Sequence, residues 1–411
     1  MKKSVPVLGL LILLGMVACK MPTSGIFYSL ENESAITNNA QSGLAKDVPV
    51  SRLATFGSSY LIVSGTTLFT TATPGLNEYG VLKTNGTWTA VAGPSATIPA
   101  CVDLAVSGST IYGLFTSNAN NGSASTDPAL YTGSGAATGP TWTALSLTGL
   151  SPAGQVADAL YTNDSGTTIL QTRAYPTGAS SPNYYAYRLS GAGIGTQIGG
   201  FGSSRRITGL AGLDGNTMVI TGDAVYTTNL AAGSPTLSAK AVPKLSDKDT
   251  DLKSVSWDGT NTYYVACGSG WLAKSGDSGT SWTVSSAAQY NASSTLIKFT
   301  SLVYLKALKD RSGKDAGLTA LIAGSAGQSL WRVNTDTMNV YARPSDMSTD
   351  KLWSGDYPSA EQSLSSVSSL IPVSGEKVFI GTTNKGLWSF QYDSASTKTT
   401  PAKSGLFFTW E

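Results

Sequence analysis

Apolar positions along this chain fall in short runs separated by Gly-containing turns, with no sustained spacing of three or four residues that would mark long amphipathic helices. The turns recur in kind: Ser64-Gly65, Ser107-Gly108, Ser165-Gly166, Asp214-Gly215, Asp258-Gly259 and Ser374-Gly375 each sit between two apolar runs. Strand, tight turn, strand is the local unit this predicts. One stretch departs from it, the run Val5 to Val17 that follows Lys2 and Lys3, which is too short to span a bilayer comfortably and has the charged start and apolar middle of a secretory signal.

The unit repeats. The first copy places strands at Ser59 to Val63, Leu68-Phe69, Gly80 to Leu82 and Thr87 to Thr89; the second at Val102 to Val106, Ile111 to Phe115, Ala129 to Tyr131 and Thr141 to Thr143. The third begins at Ala159, the fourth at Gly209, the fifth at Val255, the sixth at Phe299 and the seventh at Ser369, closing at Trp410. About 52 residues per unit and four strands in each are the arithmetic of a β-propeller, in which every twisted sheet packs both faces against its neighbours. The expected fold is all-β, a propeller of seven four-stranded blades over residues 49–411. Units three and six are the most worn, which leaves six or eight blades open; a β-helix or a double sandwich are the other architectures such strands could build.

Composition sharpens this. The chain has 411 residues, 45 of them Gly, and only 13% are charged. A net charge of +2 supplies no field that would draw nucleic acid. There is no His, which removes Ser-His-Asp and Cys-His nucleophile pairs and His-ligated metals. Cys101 and Cys267 lie in apolar runs and read as buried free thiols. Asp247, Asp249 and Asp251 share the alternating spacing of a calcium loop, but Leu252 stands where such a loop needs Gly, so a solvated acidic turn is the reading. The Gly191 to Gly195 run has no helix after it to present to phosphate. No cofactor and no metal site is expected.

At the end of the signal run, Met16-Val17-Ala18-Cys19 resembles the lipobox of bacterial lipoproteins, with Met16 in place of the usual Leu. That resemblance implies a signal peptide over residues 1–19, lipidation of Cys19, and attachment to the membrane of the cell envelope, most often the outer membrane. Residues 20–48, rich in Asn, Ser and Ala, read as a flexible tether.

Ser275-Gly276-Asp277-Ser278-Gly279-Thr280-Ser281-Trp282 resembles the Asp-box, also called the BNR repeat; Lys83 to Thr89 is a shortened copy, and Thr141-Trp142-Thr143 retains the closing Trp. The resemblance implies a propeller in which Ser275, Asp277, Gly279 and Trp282 staple the turn between the outer two strands. Asp-box propellers include sialidases, other glycosidases, receptors and assembly factors, so the motif speaks to fold before function.

A sialidase of this class would need three arginines, a Tyr-Glu pair and an acid Asp. Arg52 stands near the first-blade position, but the Ile-Pro that follows it in the family is Leu53-Ala54 here, and Glu78-Tyr79, being adjacent on one strand, would point oppositely. A sialidase-like or other glycoside hydrolase is therefore the alternative to a binding module. For binding, the loops entering the innermost strands are the functional variables. They carry two candidate sets: Arg205 and Arg206 before the fourth unit, and Trp353, Asp356 and Tyr357 before the seventh. A basic insertion from Lys306 to Lys314 falls on the opposite face. The sequence thus predicts a lipid-anchored envelope propeller that binds or scaffolds a protein or glycan partner.

Overall fold

The computed structural model describes Leu44 and residues 48–72, 88–117, 127–191, 193–201, 205–245, 250–286, 296–305, 320–327, 330–340, 366–373, 377–383, 386–393 and 405–410. These form seven antiparallel sheets, each built from consecutive strands. Six sheets have four strands and the sixth in order has three, with a single bridge, Val333 to Val340, at the place of the fourth strand expected around Asn339. The innermost strands are β1 (Val50–Phe56), β5 (Ala100–Ser107), β9 (Val156–Thr162), β13 (Ile207–Leu213), β17 (Leu252–Trp257), β21 (Phe299–Leu305) and β24 (Val367–Val373). Each touches the next, and β24 touches β1, so the seven close into a ring: a seven-bladed β-propeller.

The first unit is displaced from its sequence reading. Its innermost strand is β1, so Ser59–Ser64 (β2) is the second strand and Thr67–Ala72 (β3) the third. Val50 to Phe56 interrupts its apolar positions with Ser51, Arg52 and Thr55 and gives a weak strand signal; the third strand placed at Gly80 to Leu82 lies outside the described residues, as do Cys19 and nearly all of the tether.

Core packing lies between blades. Trp271, Met218, Ile220, Val265 and Cys267 form one buried cluster joining blades four and five, and Ile62, Leu53, Trp88 and Leu387 another joining blades one and seven. Cys101 and Cys267 are buried and unbridged, and burial pushes both thiols up from their ordinary range.

An innermost strand has one edge with no strand beside it, and its amides and carbonyls must find partners elsewhere. Side chains of the neighbouring blade supply them. Asp103 Oδ2 accepts from Leu160 N at 2.9 Å, and the equivalent Ser254 Oγ accepts from Leu302 N at 3.1 Å. Thr300 Oγ1 donates to the Val367 carbonyl and Ser368 Oγ to the Val50 carbonyl, both at 2.6 Å, and the second of these closes the ring between the last blade and the first.

The Ser275–Trp282 turn joins β19 (Leu272–Ser275) to β20 (Thr283–Val284), the outer strands of blade five. Ser275 Oγ accepts from Gly279 N at 2.8 Å and donates to Asp277 Oδ1 at 2.7 Å, while Asp277 accepts from both the amide and the hydroxyl of Ser281. Gly279 sits at φ +85°, where a Cβ would also crowd Lys240 and Met218. Trp282 Nε1 reaches into blade four, donating to the Ala241 carbonyl at 2.8 Å. Trp142 does the same between blades two and one, donating to Ala92 O at 2.9 Å, although its turn retains little of the motif. The Ser281 hydroxyl and amide hold Asp277 down at about 2. With its pKa depressed in the folded state, the Asp277 contribution to stability is present above the unfolded value near 3.8 and is lost as pH falls through about 2. Thermal melts of the native protein and Asp277→Asn should therefore differ at pH 6 and converge between pH 4 and pH 2, in that direction only; a constant difference across that window would show the carboxylate's charge to be irrelevant.

Candidate functional site

Along each innermost strand the alternation of facing residues breaks once, at the same place in all seven blades. A bulge leaves one residue unpaired between two paired ones: Ser51, Val102, Asp158, Thr208, Lys253, Thr300 and Ser368. The residue before each bulge, Val50, Cys101, Ala157, Ile207, Leu252, Phe299 or Val367, is buried in the blade. A bulge re-aims the next side chains and bends the strand. Charged residues stand at two of the bulges, Asp158 and Lys253, and directly after two others, Arg52 and Asp103, and Arg206 stands immediately before β13.

A cavity of about 570 Å³ opens at the channel mouth, lined by residues of blades one to five. Its charged lining residues are Arg52, Arg206 and Lys253; among the described residues no Asp or Glu lines it. The acids lie behind. Asp103 and Asp158 have side chains only 7% exposed, against 39% for Arg52 and 54% for Arg206. Asp103 accepts from Arg52 Nε at 2.5 Å, Leu104 N at 2.8 Å and Leu160 N at 2.9 Å, with Arg52 Nη2 at 3.4 Å. The Asp103 carboxylate raises the pKa of Arg52 further, keeping the guanidinium charged. Asp158 accepts from Gln171 Nε2 at 2.6 Å and Arg206 Nε at 2.9 Å and is reached by Arg173 Nη1 at 3.5 Å. Arg173 also bridges outward to Asp127. Lys253 meets Asp251 at 2.7 Å, so Asp251, read from sequence as part of an acidic turn, is a partner of a mouth cation.

Tyr161 lines the same cavity, and its hydroxyl donates to the Ile207 carbonyl at 2.5 Å, which ties blade three to blade four. Burial, partly offset by Arg206 and Arg52, pushes this phenol up to about 12. It is an anchored donor and not an activated nucleophile.

Of the candidates named from sequence, Arg206 lines the cavity. Arg205 turns outward beside it, donating to Tyr226 Oη at 2.8 Å and pairing with Asp223 at 3.4 Å. Trp353, Asp356 and Tyr357 lie outside the described residues, as do Glu78-Tyr79 and the insertion Lys306 to Lys314. Sequence reasoning missed Asp103, Asp158, Tyr161, Arg173 and Lys253 as site residues. The signal is broken alternation at two bulges, Cys101-Val102-Asp103 and Leu252-Lys253-Ser254; at the third, Ala157-Asp158-Ala159, the sequence alternates and gives no sign.

The class this geometry defines is a seven-bladed propeller with a basic, half-enclosed channel mouth. No protein-family model matches the chain, and no curated protein matches it in sequence. Solved structures resemble it in fold. YCF48 from Cyanidioschyzon merolae is 10% identical with a TM-score of 0.46, over 85% of this chain and 97% of that one. A structure of YCF48 bound to D1 peptide is 12% identical with a TM-score of 0.49, over 84% and 92%. U3-55K is 10% identical with a TM-score of 0.49, over 90% and 97%.

Proposed function

We propose that this protein is a lipid-anchored propeller of the bacterial cell envelope that binds a protein partner at its channel mouth and performs no hydrolysis there. The observation that carries the reading is the mouth itself: Arg52, Arg206 and Lys253, from blades one, four and five, stand exposed around a cavity that no described Asp or Glu lines, and Asp103 and Asp158 lie behind the two arginines, engaged by N–H donors. Most glycoside hydrolases use two carboxyl groups facing one substrate, and a sialidase a Tyr nucleophile with an acid Asp, in either case with a carboxyl free to give a proton. Asp103 and Asp158 are both engaged by arginine and by other N–H donors, and the Tyr161 hydroxyl is spent on a backbone carbonyl. A rigid disc with a recessed polar mouth is instead suited to holding another surface.

The lipobox resemblance at Cys19 supports the anchor, and the resemblance of Ser275–Trp282 to the Asp-box supports placing the stapled turn away from the binding face. The test is site-specific photocrosslinking in cells, with a photoreactive residue at position 208, where Thr208 lines the cavity and every mouth cation is kept. A discrete adduct that disappears when Cys19→Ala releases the protein from the membrane is the expected result. An adduct-free mouth in cells that retain the anchored, folded protein would overturn the reading. Protease shaving of intact cells then tells whether the partner is met outside the cell or within the envelope.

A further inference from the structure

We infer that the channel mouth selects an acidic segment of its protein partner, seating Asp or Glu carboxylates on Arg52, Arg206 and Lys253; the inference deepens the binding-face reading and rests on it. The argument is an account of donors and acceptors. A carboxylate offers about four lone-pair sites. Asp103 has four donors around it and Asp158 three, so neither has much capacity left for a ligand's N–H groups. A guanidinium offers five N–H bonds. Among the described residues Arg206 commits its Nε to Asp158, and its two terminal nitrogens are not engaged; Arg52 commits Nε and Nη2 to Asp103 and one Nη1 bond to the Ser51 carbonyl. The buried acids thus orient the arginine forks and leave the outward ends as donors, the geometry that receives a carboxylate.

The extent of the surface favours a peptide over a free acidic sugar. Its cations come from blades one, four and five, on different sides of the channel, and a single sugar carboxylate would engage one fork and leave the rest hydrated. Beyond the cavity Asp158 also meets Arg173, itself 31% exposed, and Tyr175, two residues further along, is 57% exposed. Tyr and Arg are residue types that carry binding energy at protein interfaces.

The experiment is fluorescence anisotropy with the purified full chain and two labelled peptides, one alternating Glu with Gly and one alternating Gln with Gly. The Glu peptide should bind saturably, at least about tenfold more tightly than the Gln peptide, and weaken as salt is raised through the range where the Debye length falls below roughly 10 Å. The double variant Arg206→Gln with Lys253→Gln should lose about tenfold, while Lys240→Gln with Lys298→Gln, changing two cations outside the cavity lining, should not. Circular dichroism melts of both double variants keep a folding defect separate from lost binding. Equal affinity for the two peptides, or an unchanged double variant, overturns the inference; so does saturable binding of glucuronate without binding of the Glu peptide. If crosslinking from position 208 succeeds while the Glu peptide fails, the acidic-segment inference falls alone; if both fail, the binding-face reading falls with it.

Discussion

Asp103→Ala is expected to destabilise the protein by about 3–5 kcal/mol, far more than Arg52→Ala, although the two residues form one ion pair. The asymmetry follows from what each leaves behind. Removing Arg52 takes away a side chain that is 39% exposed, and water can reach the carboxylate in its place, so a cost of about 1 kcal/mol is appropriate for a partly exposed pair. Removing Asp103 strands the amides of Leu104 and Leu160, both buried, the second on the unpaired edge of the next blade's innermost strand. Each buried donor without an acceptor costs about 1–3 kcal/mol. Denaturant unfolding of the two single variants measures this; equal losses would mean that the carboxylate acts only as a counter-ion. Asp103 is therefore a joint between blades two and three as well as the support for a mouth arginine, and a ligand that pulls Arg52 outward would act on that joint.

The second large effect belongs to the core between blades four and five. Trp271→Ala should cost about 3–5 kcal/mol, because a fully buried indole is removed from a cluster of β-strand side chains that cannot collapse far. Its Nε1 is buried without a hydrogen-bond partner. Trp271→Phe, which deletes that unpaired donor together with part of the ring, should accordingly cost about 1–2 kcal/mol, less than its lost volume alone would suggest. Thermal melts that gave the Phe variant the full penalty of the Ala variant would show that the indole nitrogen is satisfied in solution.

Much of the fold was legible because buried strands announce themselves twice, by apolar runs and by the Gly turns between them. Six of the seven units were located within a few residues of their strands. The exception shows what the signal depends on: β1 carries Arg52 at a position that a plain alternating strand would give to the core or to solvent, and its blade was read one strand late. The site was less legible for the same reason. Arg206 stood out because it sits in a connection beside another Arg. Asp103, Asp158 and Lys253 sit inside strands, where a lone charge reads as a solvated face; the structure instead puts Lys253 in the cavity lining and the two acids behind its arginines. Hydrogen bonds across the ring, such as Leu160 N to Asp103, join residues more than fifty positions apart and leave no local trace.

The trace of the outer turns is different in kind. Asp277 and Trp282 were readable because their bonds are mostly local, within the turn or to the blade just before it. Trp142 shows that the interblade bond survives after the rest of such a turn has changed, so the closing Trp, and not the Asp, carries the contact between blades.

The central claim is that the partner is held at the channel mouth, and the most direct measurement reads both faces of the disc at once. Photoreactive residues at position 208, in the cavity lining at the mouth, and at position 278, in the turn between β19 and β20 on the opposite face, are compared in the same cells at matched expression. A specific adduct from position 208 and none from 278 is the predicted result. An adduct from position 278 with a silent position 208 would contradict the account and move the binding face to the stapled turns.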